Sequence, residues 1–350
     1  MRVVVTGATG NVGTSVVRTL ALHGDVEQIV GLARRTDAAP IPKTEWVRAD
    51  VVTGDLASVF RGADVVIHLA WAIQPSRDEV TLRAVNVDGS ARVFAAVAEA
   101  RVPALVYASS VGAYSPGPKD RAVDESWPTD GIPTSFYARH KAEVERLLDH
   151  FEREHPEVRA VRLRPGLIFK REAASEQRRL FGGPFVPGFL LRPGVIPFVP
   201  DAPRLRFQAV HSDDVASAYC LATVGDARGA FNVAAEPVLD ADRLAKLLRA
   251  RKLPTPPGLL RGVAALTWRL RLQPAPEGWV DMAFSVPIMD TRRAREELGW
   301  EPKKSAEDAF RELLEGMREG AGDDTPPLRP GGAGPLRIKE ILSGVGGRNP

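Results

Sequence analysis

The sequence has little of several features that would point to particular classes of protein. Cys220 is its one cysteine, which excludes an intramolecular disulfide framework and a thiolate cluster for zinc or iron–sulfur. No apolar run approaches the length of about eighteen residues that predicts a membrane span. The formal net charge is only +3 over 350 residues, which is too small an excess to indicate a nucleic-acid partner.

What the sequence does have is the composition of a globular chain. Hydrophobic residues make up 44% of it and charged residues 26%, so a fibrous or disordered protein is excluded. The chain opens on the strand-like run Arg2-Val3-Val4-Val5 and lacks the charged-then-apolar run of a signal peptide. We therefore expect a cytoplasmic protein of one large or two modest domains.

Short apolar runs alternate with amphipathic segments through the first half of the chain. The runs predicted as strands begin near positions 3, 28, 45, 64, 104 and 159, and the longest predicted helices cover 79–100 and 135–154. Continuous apolar strands separated by helices indicate a parallel sheet covered on both faces. The sequence therefore predicts an α/β fold built on a Rossmann-type doubly wound parallel sheet.

The pattern loosens after residue 165. We predict a dinucleotide-binding domain at 1–165, to which the chain returns at about 205–234. Residues 166–204 and 235–318 would form a smaller α+β substrate-binding part, and glycine and proline predict a flexible tail at 319–350.

Within the smaller part, residues 182–203 hold prolines and glycines among large apolar side chains such as Phe185, Phe189 and Phe198. This composition indicates a loop-rich lid over the substrate. Further helices are predicted at 240–251, 291–298 and 305–317.

A glycine-rich turn, TGATGNVG from Thr6 to Gly13, lies between the first predicted strand and the first predicted helix. Gly7 allows a tight turn, Gly10 lets the backbone approach a pyrophosphate, and Gly13 lets the helix pack closely on the sheet. Free N–H groups and the helix dipole favour an anion there. The predicted dinucleotide contacts are Gly7, Thr9, Gly10, Asn11, Val12 and Gly13.

The end of the second predicted strand indicates which dinucleotide fits. An acidic residue there would bind the ribose hydroxyls of NAD, but this chain has Arg34 and Arg35. Arginines suit the 2′-phosphate of NADP(H), although two solvated surface arginines would give the same pattern. We predict NADP(H), with NAD(H) as the alternative, and expect Asp50 and Val51 after the third strand to border the adenine.

Tyr137 and Lys141 lie one helical turn apart on the same face of the predicted helix 135–154. A phenol has a pKa near 10, and lowering it to about 7 requires roughly 4 kcal/mol of preference for the phenolate. An ammonium about 4 Å away supplies approximately that much at surface-like screening. We therefore predict that Lys141 makes Tyr137 a working proton donor and acceptor.

Two serines, Ser109 and Ser110, follow the fifth predicted strand. They lie at the carboxyl edge where doubly wound sheets bind ligands. A hydroxyl there can hydrogen-bond a substrate carbonyl oxygen, although a serine that caps the local backbone would also occur at this position.

Together these motifs resemble those of the extended short-chain dehydrogenases/reductases, the NAD-dependent epimerase/dehydratase family. The resemblance covers roughly residues 1–317 in order. It continues through His68-Leu69-Ala70, Asn86-Val87-Asp88-Gly89, Arg164-Pro165, the segment from Val210 to Val215, Asp290-Thr291 and Leu298-Gly299-Trp300.

The resemblance implies a role for each matching residue. Ser110 would orient the substrate, Tyr137 would be the acid and base, and Lys141 would bind the nicotinamide ribose. The residues that would border the nicotinamide are Leu69, Ala70, Ser109 and Pro165. Asn86 would link a helix to a strand, while His211 and Asp214 would tie the second half of the chain to the first.

The resemblance also implies two substrate contacts. Tyr114 matches the tyrosine of the family's tyrosine–glycine pair, with Ser115 in place of the glycine. Leu167 stands where many nucleotide-sugar enzymes have an asparagine, and leucine cannot donate a hydrogen bond. Lys170 and Arg171 replace the usual glycine–proline and would still be able to bind a diphosphate.

A further departure from the family pattern reduces the number of reactions that this chain could catalyse. Dehydratases carry an aspartate and a glutamate after the active-site hydroxyl, whereas this chain has Val111 and Gly112. Dehydration is therefore disfavoured, and hydride transfer at a secondary alcohol or ketone is the predicted chemistry.

Three functions stay open at this point. The first is an NAD(P)-dependent oxidoreductase, and the second is a UDP-sugar 4-epimerase, which would use the same three side chains. The third is a non-catalytic NADP(H)-binding sensor or scaffold, although proteins of that kind have lost the tyrosine that this chain keeps. Apolar residues at 180–200 favour a less polar, steroid-like or polyketide-like substrate, and the resemblance suggests a homodimer through the two long helices.

Overall fold

The computed structural model describes residues 1–74, 76–182 and 194–330 together with Val345. Its strands, in chain order, are β1 (Arg2–Thr6), β2 (Gln28–Ala33), β3 (Thr44–Arg48), β4 (Val65–His68), β5 (Ala104–Ala108), β6 (Ala122–Val123), β7 (Arg159–Pro165), β8 (Leu167–Phe169), β9 (Phe198–Asp201), β10 (Phe207–His211), β11 (Gly229–Val233), β12 (Ala235–Leu239), β13 (Arg251–Pro254) and β14 (Ile288–Met289).

The α-helices are α1 (Asn11–Leu22), α2 (Leu56–Phe60), α3 (Glu79–Arg83), α4 (Gly89–Glu99), α5 (Phe136–Glu154), α6 (Ala174–Gln177), α7 (Ser212–Val224), α8 (Ala241–Leu248), α9 (Pro257–Arg269), α10 (Gly278–Ser285), α11 (Arg292–Leu298) and α12 (Ala306–Glu319). Turns of π-helix follow α3 and α6, at Ala84–Asp88 and Arg178–Gly182. Across the residues that the structure describes, every helix is too short or too polar to cross a bilayer.

Seven parallel strands form the main sheet, in the order β11–β7–β5–β4–β1–β2–β3. The chain runs outward from β1 to β3, crosses back to β4 on the other side of β1, and continues from there. The strand order therefore reverses between β1 and β4, and sheets of this kind bind ligands at that point, outside the carboxyl ends of the strands. The prediction of a Rossmann-type doubly wound sheet is confirmed.

The first strand illustrates why continuous apolar runs predict a sheet covered on both faces. Val3 and Val5 are fully buried on the face covered by α1 and α7, while Val4 is fully buried on the face covered by α4 and α5. Successive side chains of a strand point to opposite faces. Each buried side chain contributes about 1.5–3 kcal/mol to folding, so a polar residue on either face would be costly.

The chain after β7 builds smaller sheets beside the main one. Strands β8, β10 and β12 form a three-stranded sheet, β9 pairs with β13, and β6 pairs with β14. Helix α12 packs on the three-stranded sheet through a core that includes Phe169, Leu239 and Leu313. The chain returns to the main sheet as β11, beside β7.

Several elements of this smaller part differ from the predictions. The helix predicted over 240–251 ends at Leu248, because Arg249 adopts a left-handed conformation (φ 51°) and the next residues form β13. Helix α9 was not predicted. Its large apolar residues Leu259, Val263 and Leu266 share one face by their spacing, but they are exposed and none of the residues of this helix is buried.

The long helix predicted over 79–100 is interrupted by the π-helical turn that contains Asn86. The Asn86 side chain is fully buried, donates to the carbonyl oxygen of Ala72 at 2.8 Å and accepts from the Ala72 N–H at 2.7 Å. It thereby holds the segment after β4 to the helix, as predicted.

The predicted lid and tail are described only in part. Residues 183–193 of the lid and residues 331–350 of the tail, apart from Val345, lie outside the described residues. Residues 321–330 pack on the body of the molecule, where Leu328 is fully buried and Asp323 accepts from Arg18 at 2.8 Å. This stretch therefore differs from the flexible tail that its glycine and proline content predicts.

Candidate active site

A groove runs along the carboxyl edge of the main sheet, where the strand order reverses. One half is lined by predicted adenosine-side and phosphate-side residues: Gly7, Thr9, Gly10, Arg34, Arg35, Asp50, Val51, Leu69 and Ala70. The other half is lined by the predicted reactive-end residues: Asn11, Val12, Gly13, Ser109, Ser110, Tyr137, Lys141, Pro165 and Leu167. The two halves share Gly7, Gly10 and Leu69, so they form one continuous groove.

The glycine turn packs closely on the segment after β4 and on its own backbone. Gly7 has φ +71°, and a Cβ there would lie 2.7 Å from the Ala70 nitrogen. A Cβ on Gly13 would lie 2.3 Å from the Gly7 carbonyl oxygen, so neither position tolerates a side chain. Gly10 caps α1 without a side-chain hydrogen bond, and no acidic residue lies in the first turn. The helix N-terminus is therefore free to receive an anion.

Arg34 and Arg35 are exposed and line the groove just beyond β2. Neither guanidinium makes a hydrogen bond or an ion pair to any residue that the structure describes, so both are available to a phosphate group. Asp50 lines the groove opposite and accepts from the Val52 N–H at 2.8 Å. Asp50 therefore braces a turn while it borders the predicted adenine position.

Tyr137 is placed in the first turn of α5, whose N-cap is the Ser135 hydroxyl. The Ser110 hydroxyl accepts from the Gly112 N–H at 3.0 Å, and a Cβ on Gly112 would approach the Tyr137 ring to 2.9 Å. The absence of a side chain on Gly112 thus lets the ring pack against this turn. Burial raises the pKa of Tyr137, and a hydrogen bond with Ser110 opposes part of that rise.

The Lys141 ammonium lies closer to other groups than to the Tyr137 ring, so its effect on the pKa of the phenol stays a prediction. The ammonium donates to the carbonyl oxygen of Ala108 at 2.6 Å and lies 3.5 Å from the centre of the Trp71 ring. The Tyr137 ring centre is farther away, at 5.9 Å. Burial also lowers the pKa of Lys141 well below its usual value.

A buried ionic network links the loop that follows β5 to helix α5. The Ser109 hydroxyl donates to the carboxylate of Glu145, which is fully buried and also accepts from Arg164 at 2.9 and 3.0 Å and from Arg162 at 2.7 Å. Burial alone would raise the pKa of Glu145, but the hydrogen bonds and charges of the two arginines lower it to about 2. Ser109 is thereby tied to α5, the helix that carries Tyr137.

The prediction that Tyr114 contacts substrate is wrong for this structure. Tyr114 is fully buried against Ala234 and Met289. Its hydroxyl donates to the Asn232 side chain at 2.6 Å and accepts from Arg164 at 3.0 Å. Burial raises its pKa to about 12, so this side chain braces β11 and does not reach the groove.

Lys170 and Arg171 are likewise not placed to hold a diphosphate. Lys170 is buried and donates to the Asn11 carbonyl oxygen at 2.8 Å and the Thr14 hydroxyl at 2.7 Å. These two hydrogen bonds hold the first turn of α1 in place. Arg171 pairs with Glu319 on α12.

Several groove residues were missed by the sequence argument. They are Trp71, Ile73, Gln74, Glu176, Gln177, Arg179, Tyr219, Trp279, Met282 and Pro327. Leu180 and Phe181, which also line the groove, fall in the apolar stretch 180–200 that was predicted to face the substrate. Trp71 directly follows the His68-to-Ala70 motif in the chain, so its position in the sequence could have predicted that it lines the groove. The sequence carries no such signal for Trp279, because this residue lies on α10, far along the chain from Tyr137.

These features define a class of protein. It is a doubly wound α/β protein with a dinucleotide turn at the reversal of strand order, and with a serine, a tyrosine and a lysine farther along the same groove. Residues 3–234 match the model of the NAD dependent epimerase/dehydratase family. The chain belongs to that family, and the resemblance seen in its motifs is confirmed.

The chain is similar to an uncharacterized protein of Mycobacterium tuberculosis, with 28% identity over 321 residues that make up 91% of this chain. It spans 30% of the length of that relative. It is also 28% identical over 175 residues to the 4-hydroxy-2-methyl-3-oxo-4-farnesyl-3,4-dihydroquinoline-1-oxide ketoreductase of Stigmatella aurantiaca, which covers 48% of this chain and 51% of the relative.

Among solved structures, the UDP-glucose 4-epimerase of Thermus thermophilus in complex with NAD superposes with a TM-score of 0.66 at 22% identity. The match covers 91% of this chain and 99% of that one. At this identity the likeness shows the shared fold, and the activity has to be argued from the site.

Proposed function

We propose that this chain is an oxidoreductase that interconverts a ketone and a secondary alcohol with NADP(H), and that Tyr137 is its acid and base. The observation that carries the proposal is the continuous groove. Ser110, Tyr137 and Lys141 line one end of it, and the glycine turn with Arg34 and Arg35 lines the other.

The side chains have complementary tasks at the substrate oxygen. The bound nicotinamide supplies a hydride in reduction and accepts one in oxidation. The Ser110 hydroxyl donates a hydrogen bond to the carbonyl oxygen, and Tyr137 transfers its phenolic proton to that oxygen as the alcohol forms. Positioned proton transfer of this kind contributes about a hundred- to ten-thousand-fold in rate.

Tyr137 begins the reduction of a ketone as a proton donor. Because burial raises its pKa, the phenol carries its proton at neutral pH and starts as a donor. A ketone needs such a donor, whereas an alcohol would need a phenolate to take its proton.

The preference for NADP(H) rests on Arg34 and Arg35. Both are exposed at the groove and make no ion pair with the residues that the structure describes. A 2′-phosphate would pair with them, whereas the second ribose hydroxyl of NAD(H) meets no acidic partner on this strand end.

The nucleotide-sugar alternative has less support from the groove. Lys170 is engaged with Asn11 and Thr14, and Arg171 is paired with Glu319. Leu167 supplies an apolar surface. The similarity to a ketoreductase also supports reduction of a ketone over epimerisation of a sugar.

Isothermal titration calorimetry tests both parts of the proposal. We expect NADPH to bind the wild-type protein at least tenfold more tightly than NADH, and the double variant Arg34→Ala, Arg35→Ala to lose that preference, since hydrogen bonds to a charged group contribute about 1.5–3 kcal/mol each. UDP added to the NADP⁺ complex should give no binding heat.

The double variant Arg146→Ala, Arg269→Ala, which removes two exposed arginines outside the groove, is the control. Equal losses for both dinucleotides would refute the cofactor assignment, and tight UDP binding would restore the epimerase.

A further inference from the structure

We infer that the substrate presents a planar aromatic ring beside its reacting carbonyl, and that Trp279 recognises that ring. The inference rests on the proposed function, because it concerns the substrate of the same site. It starts from the aromatic side chains that the fold gathers around Tyr137.

Three aromatic side chains line the groove near the phenol. The Trp279 ring centre lies 5.0 Å from that of Tyr137, and the Phe181 ring stands edge-on to Trp279, also at 5.0 Å. The Trp71 ring centre lies 5.9 Å from that of Tyr137. All of these rings are half-buried and line the groove. They therefore present aromatic surface to whatever binds next to the proton donor.

The position of Trp279 is set by tight packing. A Cβ on Gly278, the preceding residue, would lie 2.3 Å from the Thr134 carbonyl oxygen, so the start of α10 lies directly against the segment before α5. Phe136, next to Tyr137 in the chain, also packs edge-on against Trp279 at 6.2 Å. Two elements that are far apart in sequence thus hold the indole beside the phenol before any substrate arrives.

The rest of the reactive end is mostly apolar. Val111, Leu167, Leu180 and Met282 line it. The polar side chains of Asn11, Glu176 and Gln177 also line it, and the Gln177 amide donates to the Ile168 carbonyl oxygen at 3.1 Å. A sugar ring would bring several hydroxyl groups to this surface, and each buried hydroxyl without a partner is costly. An aromatic ring has no hydroxyl groups that need hydrogen-bond partners.

Aromatic surface favours an aromatic ligand beyond simple apolar burial. Offset or edge-on ring pairs strengthen binding by about two- to twelve-fold over the effect of buried area. A flat ring against Trp279 would also direct an attached carbonyl toward Ser110 and Tyr137. The substrate class inferred is therefore an aryl-fused or aryl-substituted ketone and its alcohol.

The test compares two ligands with the same ten-carbon skeleton, 2-naphthol and trans-2-decalol, by calorimetric titration with and without NADP⁺. We expect 2-naphthol to bind at least about fivefold more tightly, as ring pairing predicts. Trp279→Leu should bring the ratio close to one, and Trp279→Phe should keep most of it. Trp268→Leu is the matched control, because Trp268 lies on α9, outside the residues that line the groove.

Equal binding of the two alcohols, or a preference that survives Trp279→Leu, would overturn the inference. Thermal melts of each variant identify any that fails to fold; if Trp279→Leu does, the ratio of the two affinities in the wild-type protein decides. Reduction of 2-tetralone by NADPH is measured separately. A preference for 2-naphthol without any NADPH oxidation would leave the aromatic site standing and count against the proposed reaction.

Discussion

Tyr137 shows how burial and neighbouring groups compete at the scale of a single residue. The spacing of Tyr137 and Lys141 on α5 is as predicted, but the amine bonds Ala108 and contacts Trp71. Burial therefore controls the phenol and raises its pKa. The phenol is therefore a weaker acid in this arrangement than the sequence argument predicted, and it keeps its proton.

If Tyr137 is the proton donor as proposed, Tyr137→Phe should lower kcat for ketone reduction by at least about a hundredfold. NADPH affinity should change little, since the ring itself is kept. Steady-state kinetics and calorimetry measure the two effects separately.

Tyr107→Phe is the matched control for this experiment. It removes another phenolic hydroxyl, one that is buried without a hydrogen-bond partner in the described structure. Its kcat should stay near that of the wild type. Unchanged turnover in Tyr137→Phe would show that another group supplies the proton.

At the scale of secondary-structure elements, His68 joins two strands and a helix. Its ring, at the end of β4, hydrogen-bonds the Thr6 hydroxyl of β1 at 2.7 Å and the Ser90 hydroxyl of α4 at 2.9 Å. Burial, with a smaller contribution from the charge of Lys141, lowers the pKa of His68 to about 3. The fold therefore holds this imidazole neutral.

This depressed pKa predicts a pH dependence of stability. An unfolded histidine has a pKa near 6.5, so between about pH 6.5 and 3 the unfolded chain binds the extra proton. The stabilisation by neutral His68 is then fully present above about pH 6.5 and is lost as the pH falls, by up to about 1.4 kcal/mol per unit. Urea unfolding at pH 7.5 and 5.0 measures the difference.

His68→Gln should reduce that loss of stability, because an amide keeps hydrogen-bonding groups and does not titrate. His150→Gln, at an exposed position on α5, should leave it unchanged. Glu145, whose pKa is lowered from 4.5 to about 2, stabilises the fold fully above about pH 4.5 and loses that stabilisation only below it. Of these two groups, only His68 therefore changes the stability between pH 7.5 and 5.0. An identical pH dependence in wild type and His68→Gln would contradict this assignment.

At the scale of the whole molecule, Asp214 ties the later part of the chain to the main sheet, as predicted. It is buried on α7, and its two carboxylate oxygens accept from the N–H groups of Lys303 and Lys304 at 2.9 and 3.0 Å. Its backbone carbonyl accepts from the indole of Trp300 at 2.7 Å. These contacts position the segment that leads into α12.

Asp214→Asn should lower the free energy of unfolding by about 1–3 kcal/mol, because an amide can accept only one of the two N–H groups and leaves the other unpaired. The dinucleotide affinity should be nearly unchanged, since the residue is outside the groove lining. Denaturant unfolding and calorimetry provide the two measurements.

Asp213→Asn is the control on the same helix, where the side chain is largely exposed. A loss of stability equal to that of Asp214→Asn would mean that burial of the carboxylate is not the cause. The homodimer through the helices at 79–100 and 135–154 stays a prediction, for which sedimentation equilibrium is the direct measurement.

The sequence by itself determined the parts that depend on local pattern. Apolar runs such as Val3 to Val5 predicted the parallel sheet, the TGATGNVG turn predicted the dinucleotide cradle, and the spacing of Tyr137 and Lys141 predicted a shared helix face. Each of these signals lies within a few residues, because backbone geometry repeats over one strand pair or one helical turn.

Only the tertiary structure decided which side chains meet across the fold. It placed Trp279 beside Tyr137, directed Lys141 to Trp71, and buried Tyr114 and Lys170 as braces. Such outcomes depend on how distant elements pack and on the hydration free energy that each side chain loses on burial. Neither quantity leaves a repeating pattern in the sequence, since both arise only when the elements come together.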